Sequence, residues 1–133
     1  MQYWLLKSEP DQFSFDQQVK CGRKGEAWTG VRNHQAKNYL KAMAKSDLAF
    51  FYHTGDERQI VGVVEIIKPA YPDPTDPAWV AVDVAAVAPM QKPIGLGAIK
   101  ADPRLADLAL VKSPRLSVQP VGAEHWEILT NYG

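Results

Sequence analysis

The sequence predicts an α+β fold: a small, curved, mostly antiparallel sheet or barrel of five to six strands with flanking helices. Short β-branched and aromatic runs recur along the chain, each bounded by turn residues. Helical patterns interrupt these runs, which favours a curved sheet or barrel over a doubly wound parallel sheet. At 133 residues, 46% hydrophobic and 23% charged, the chain suits one core, and residues 1–133 are read as a single domain.

Gln2 to Leu6 is a compact apolar run closed by Pro10 and is expected to form a buried first strand. Ser14 with Gln17 has the spacing of a capping box, predicting a short helix from Phe15 towards Lys20. Cys21 to Trp28 reads as a basic, glycine-containing loop. Asn33 is placed to cap a helix running to Lys45, because Ala36, Tyr39, Leu40 and Met43 recur at helical spacing while Lys37, Lys41 and Lys45 line another face.

Leu48 to His53 is an aromatic strand, and a polar turn at Thr54 to Arg58 joins it to a strand at Ile60 to Ile67. Tyr71 to Pro77 holds three prolines and is expected to be a loop, with Asp73 and Asp76 as solvated turn formers. Trp79 to Val87 is a further strand closed by Pro89 and Pro93, and Ile94 to Val111 is ambiguous, with a short helix available at Pro103 to Leu108. Arg115 to Gln119 alternates as a strand, and Val121 to Leu129 closes the chain as a helix.

Composition narrows the function. No apolar stretch is long enough to span a bilayer, and Lys7 and Glu9 interrupt the region where a secretory signal would be apolar, so a cytoplasmic monomer is expected. The single cysteine, Cys21, excludes an internal disulfide. Formal net charge is zero, yet Lys20 to Lys45 holds seven basic residues and one acid, a local +6, whereas Asp47 to Asp83 is acidic. Folding could therefore display one basic side.

Sharp enzyme signatures are missing. Ser8 lies in Lys-Ser-Glu-Pro, not in a glycine-flanked elbow, and Gly95-Leu-Gly97 lacks the remainder of a phosphate loop. His34, His53, His125 and Cys21 have no metal-ligand spacing, so neither a metal nor a cofactor is expected. What remains is polar and aromatic. Lys7, Ser8 and Glu9 follow the first strand. Trp28, Gly30, Val31, Arg32 and Asn33 combine a stacking ring, a close backbone approach and positive charge, although Trp28 reads equally well as core. Phe51 and His53 share one strand face and Tyr52 takes the other.

Tyr3 to Pro10, Trp28 to Asn33, Gln35-Ala36 with Asn38, Phe51-Tyr52-His53, Tyr71-Pro72-Asp73 and Arg115 to Val118 with Pro120 together resemble the EVE domain family, in order and over nearly the whole chain. The chain departs from the family at His34, Lys37 and Thr54, where Tyr, Arg and Ser are common. The resemblance implies a PUA-like curved barrel and a non-catalytic nucleic-acid-binding module that reads a modified base, modified cytosine in DNA foremost. It assigns pocket roles to Lys7, Ser8, Glu9, Trp28, Gly30, Val31, Arg32, Asn33, Phe51, Tyr52 and His53, and adds Arg115 and Ser117. On this reading Trp28 with Phe51 or Tyr52 walls the base, Ser8, Glu9 and His53 read its edge, and Arg32 with the lysine stripe holds phosphate. Two alternatives stay open: a small-molecule, nucleoside or amide hydrolase on a similar barrel using Glu9 or Lys7, and a general RNA-binding module.

Overall fold

β1 (Tyr3–Ser8) and β3 (Leu48–His53) bury consecutive residues, not alternate ones. Such strands need cover on both faces. The structure, a computed structural model describing residues 1–132, seats them side by side inside a six-stranded sheet with β2 (Glu26–Trp28), β4 (Gln59–Asp73), β5 (Asp76–Gly95) and β6 (Val118–Val121). The order is β2-β5-β4-β3-β1-β6. β1 and β3 run parallel, from Tyr3 opposite Leu48 to Ser8 opposite His53, and every other ladder is antiparallel. Six strands with flanking helices match the expected class. The hydrogen-bonded order is linear, with β2 and β6 at its ends, and does not itself close a barrel.

Alternation divides the apolar residues between two cores. Trp4, Leu6, Phe51 and Val64 face α1 (Phe15–Lys20) and α2 (His34–Ala42), which contribute Phe15, Ala36 and Leu40. On the other face Leu5, Phe50, Tyr52 and Ile60 meet α3 (Leu96–Ala101), α4 (Ala109–Lys112) and α5 (Ala123–Thr130). Trp126 of α5 stacks on Phe50 with ring centres 4.0 Å apart and on Tyr3 at 4.5 Å. Burying each large apolar side chain contributes about 1.5–3 kcal/mol, so the last helix is held by packing more than by its own propensity. Ser14 and Gln17 do form the capping box that starts α1.

Several sequence expectations are corrected. The supposed loop at Cys21 to Trp28 ends in β2, because Glu26, Ala27 and Trp28 pair with Val84, Asp83 and Val82 of β5. The proline-rich loop at Tyr71 to Pro77 is the tip of a long hairpin, and β4 and β5 extend well beyond the expected Ile60–Ile67 and Trp79–Val87. Prolines are tolerated there because the ladder is repeatedly bulged: register shifts lie between Lys68 and Tyr71, around Pro69, and between Pro72 and Asp73. Likewise Gly62 pairs with Pro89 and Ile60 with Ile94, leaving residues 90–93 outside the pairing. The expected strand at Arg115 to Gln119 is shifted to Val118–Val121, and α5 starts after it at Ala123.

α2 stops at Ala42, short of Lys45, and the cause is Asp47. Met43 is extended, and the buried Asp47 carboxylate accepts hydrogen bonds from Ala44 N at 3.0 Å, Gln2 N at 3.1 Å and Trp4 Nε1 at 3.0 Å. Burial alone would raise the Asp47 carboxyl, but these donors and the nearby N-terminal ammonium outweigh it and hold its pKa below the usual range. One side chain thus ends the helix, turns the chain into β3 and anchors the start of β1. Leaving a buried donor unpaired costs about 1–3 kcal/mol. Asp47→Ala, which orphans three donors, is therefore expected to lose about 3 kcal/mol or more in urea unfolding; an unchanged midpoint would show that the turn closes without it.

Candidate nucleic-acid interface

Past Trp28 the chain leaves β2 and has to turn sharply into α2. Gly30 makes this possible with φ 81°, a left-handed conformation that side chains disfavour. The turn is secured from the hairpin tip, where Asp73 is fully buried and accepts from Gly30 N at 3.0 Å, Arg32 Nη1 at 3.1 Å, Thr75 N at 2.7 Å and Thr75 Oγ1 at 2.6 Å. Arg32 Nη2 also donates to Thr75 Oγ1 at 2.9 Å. The sequence expectation of a solvated Asp73 is therefore overturned. Asn33 caps α2 as expected, its side chain accepting from Ala36 N at 2.9 Å.

This wall borders an open cavity of about 570 Å3. The end of β1 contributes Lys7, Ser8 and Glu9, and the following turn adds Gln12 and Phe13. β2 and the loop after it supply Glu26, Ala27, Trp28 and Thr29, while the hairpin tip supplies Pro74. Trp28 is only 8% exposed. Its ring is packed edgewise on Phe51, 5.4 Å away, and on Phe13, 6.4 Å away, so it presents a narrow surface to the cavity. Trp28 is thus a core residue that also lines the cavity.

Of the other expected residues, only Lys7, Ser8 and Glu9 line this opening. Phe51 is fully buried behind Trp28, and Tyr52 belongs to the core on the opposite sheet face. His53 is buried, does not line the cavity, and has both ring nitrogens committed: Nε2 accepts from Phe15 N at 3.0 Å, and Nδ1 is 2.8 Å from Glu57 Oε1. Ser8 Oγ donates to the Phe13 carbonyl at 2.5 Å, and Glu9 Oε2 accepts from Thr54 Oγ1 at 3.1 Å. The Lys7 ammonium turns away to the Pro114 carbonyl at 2.6 Å and lies 5.8 Å from the Tyr52 ring centre; burial lowers its pKa. Val31 is buried in the first core, Arg115 and Asn33 line a separate shallow groove, and Ser117 adjoins Lys7 only through its carbonyl.

Sequence reasoning missed Gln12, Phe13, Glu26, Ala27, Thr29 and Pro74 as cavity residues, and Asp73 as the residue that secures the adjoining turn. Burial by itself would raise the Asp73 carboxyl, but the bonds from Thr75, Gly30 and Arg32 prevail and hold it well below the usual carboxylate range. A carboxyl depressed in the folded state stabilises the fold above its unfolded value of about 3.9, and that contribution fades as pH falls towards the folded value. At neutral pH Asp73→Asn is expected to cost about 3 kcal/mol. Its deficit relative to the parent, read from urea unfolding, should shrink below about pH 4; a constant deficit would mean that ionisation of Asp73 is immaterial.

A profile of the EVE domain matches residues 2–132. The chain is 35% identical to thymocyte nuclear protein 1 of Mus musculus over 161 aligned positions, spanning 96% of this chain and 71% of that protein. Among solved structures, it is similar to a Rhodopseudomonas palustris protein determined by NMR, with 55% identity and a TM-score of 0.93 over 98% of this chain and 91% of that one. It is also similar to the human THYN1 protein in complex with 5-methylcytosine-containing DNA, with 31% identity and a TM-score of 0.91 over 98% of this chain and 96% of that one. These matches agree with the resemblance carried by Tyr3 to Pro10 and Trp28 to Asn33: the chain belongs to the EVE domain family.

Proposed function

We propose that this chain is a non-catalytic DNA-binding module that reads modified cytosine by taking the base into the cavity between β1 and Trp28. The observation that carries this reading is the composition of the cavity wall, which combines the aromatic residues Phe13 and Trp28 with the acidic residues Glu9 and Glu26. Cytosine presents an exocyclic amino donor, and a carboxylate is its natural acceptor. The likeness to a relative whose structure contains 5-methylcytosine DNA supports the choice of base.

Charge sorts the two parts of a nucleotide. The acidic rim disfavours phosphate and favours an amino edge, whereas Lys37 and Lys41 on α2 and Lys45 after it offer phosphate contacts independent of sequence. Stacking contributes about 1–3 kcal/mol per base and extrusion from a duplex costs a few kcal/mol, so edge and methyl contacts must discriminate. Burying one methyl contributes about 0.8 kcal/mol, equivalent to about a four-fold preference.

A hydrolytic reading finds little support in the geometry. That reading uses Glu9 or Lys7 for proton transfer, yet Glu9 Oε2 accepts from Thr54 Oγ1 and Lys7 Nζ donates to the Pro114 carbonyl.

Titration of oligonucleotides that differ only in cytosine modification tests the proposal, with a matched RNA as a third arm. A preference of about four-fold or more for the methylated DNA is expected. Equal affinity for all three would overturn the reader and leave a general nucleic-acid binder. Trp28→Ala would remove core packing worth about 3–5 kcal/mol, so Trp28→Phe is the sounder probe. The folded Phe variant should lose most of the methyl preference, and full retention would place the base elsewhere.

A further inference from the structure

Beside the cavity, three basic side chains gather on one aromatic ring. Trp79, half-buried in β5 just past the hairpin tip, has the exposed His34 ring 4.9 Å from its own at a tilt of 32°. The Arg32 guanidinium lies 5.8 Å from the Trp79 ring centre and Lys37 Nζ 5.6 Å from it. Arg32 is balanced by Asp73. His34 and Lys37 have no ion pair among the described residues, and Asp76 on the same tip accepts from Ala78 N instead.

Part of this cluster is a clasp. Lys37 Nζ donates to the Ala78 carbonyl at 2.8 Å and Arg32 to Thr75, so α2 is tied to the hairpin. A clasp alone has no need of uncompensated positive charge or of an exposed ring laid on Trp79. Both suit a nucleotide, whose phosphate seeks cations and whose base stacks on any flat ring regardless of sequence. Continuity with the cavity points the same way, because Pro74 lines the cavity and the next residue, Thr75, accepts from Arg32 of the cluster.

Building on the DNA-reading assignment, we propose that Trp79, His34, Lys37 and Arg32 form a second subsite for the nucleotide next to the one in the cavity. His34, backed by Trp79, stacks that neighbour's base, and Lys37 with the remaining N–H groups of Arg32 holds its phosphate. The subsite contributes affinity without reading sequence or methylation.

The test is a salt titration of affinity for methylated and unmethylated DNA with the intact chain, His34→Ala, Lys37→Gln and, as a control on the opposite sheet face, Lys100→Gln. His34→Ala should bind both DNAs about five-fold more weakly or worse, the low end of base-on-aromatic stacking. Lys37→Gln should lower the slope of log affinity against log salt by about 1. The methylation ratio and the Lys100→Gln slope should stay at parent values. A lowered midpoint with unchanged affinity and slope would reduce the cluster to a clasp, and a methylation ratio altered by His34→Ala would place His34 in the reading pocket; either overturns the subsite. Absence of methyl preference in the parent, with both variant effects intact, would overturn the cytosine reading alone. A parent that binds neither DNA overturns both.

Discussion

A buried carboxylate that is fully hydrogen-bonded is the constraint from which the candidate site follows. Asp73 has no solvent exposure, and a charge in that position is sustainable only when donors surround it. The chain supplies them from two places: Thr75 beside it, and Gly30 and Arg32 more than forty residues earlier. The hairpin tip and the Trp28 loop are consequently one object. Trp28 can be both packed and reachable because the loop after it is fixed by charge-assisted bonds, not by further burial of its own ring. Replacing such a network with apolar residues can leave a protein as stable, so its retention here accords with shape more than with stability.

Strand alternation then determines which aromatic residues can take part. Phe50, Phe51 and Tyr52 are consecutive, and the pleat sends Phe51 under Trp28 while its neighbours go to the other core. That much was legible in the sequence, where strand alternation puts Phe51 and His53 on one face and Tyr52 on the other. Which face held the cavity was not legible, because β1 and β3 are buried on both sides. The capping box at Ser14 and the cap at Asn33 were readable for the opposite reason: their partners lie three residues away.

What the sequence concealed depends on distance along the chain. Asp73 between Pro72 and Pro74 has the local signature of a solvated turn, and only the fold brings Gly30 and Arg32 to it. The prolines misled in the same manner, since a Pro-rich segment argues against a strand unless bulges absorb the missing donors. Trp79 looked like one more strand residue until α2 laid His34 and Lys37 against it. The early end of α2 was equally remote from view, because Asp47 captures Ala44 through a turn that no helical periodicity encodes.

A formal net charge of zero is compatible with nucleic-acid binding once charge is divided in space. Phosphate and base make opposite electrostatic demands: the first seeks cations, and the amino edge of cytosine seeks an acceptor. A uniformly basic surface would meet the first demand and hold any strand by its backbone. Here the acidic residues Glu9 and Glu26 are among those lining the cavity, whereas Arg32, Lys37 and Lys41 are not and lie just before or along α2. Asp73 neutralises Arg32 from within and binds the tip to the loop that separates the two regions. The contact that fixes the cavity wall also holds Arg32 at the start of the basic flank, so on the proposed reading the backbone would meet one region and the base the other.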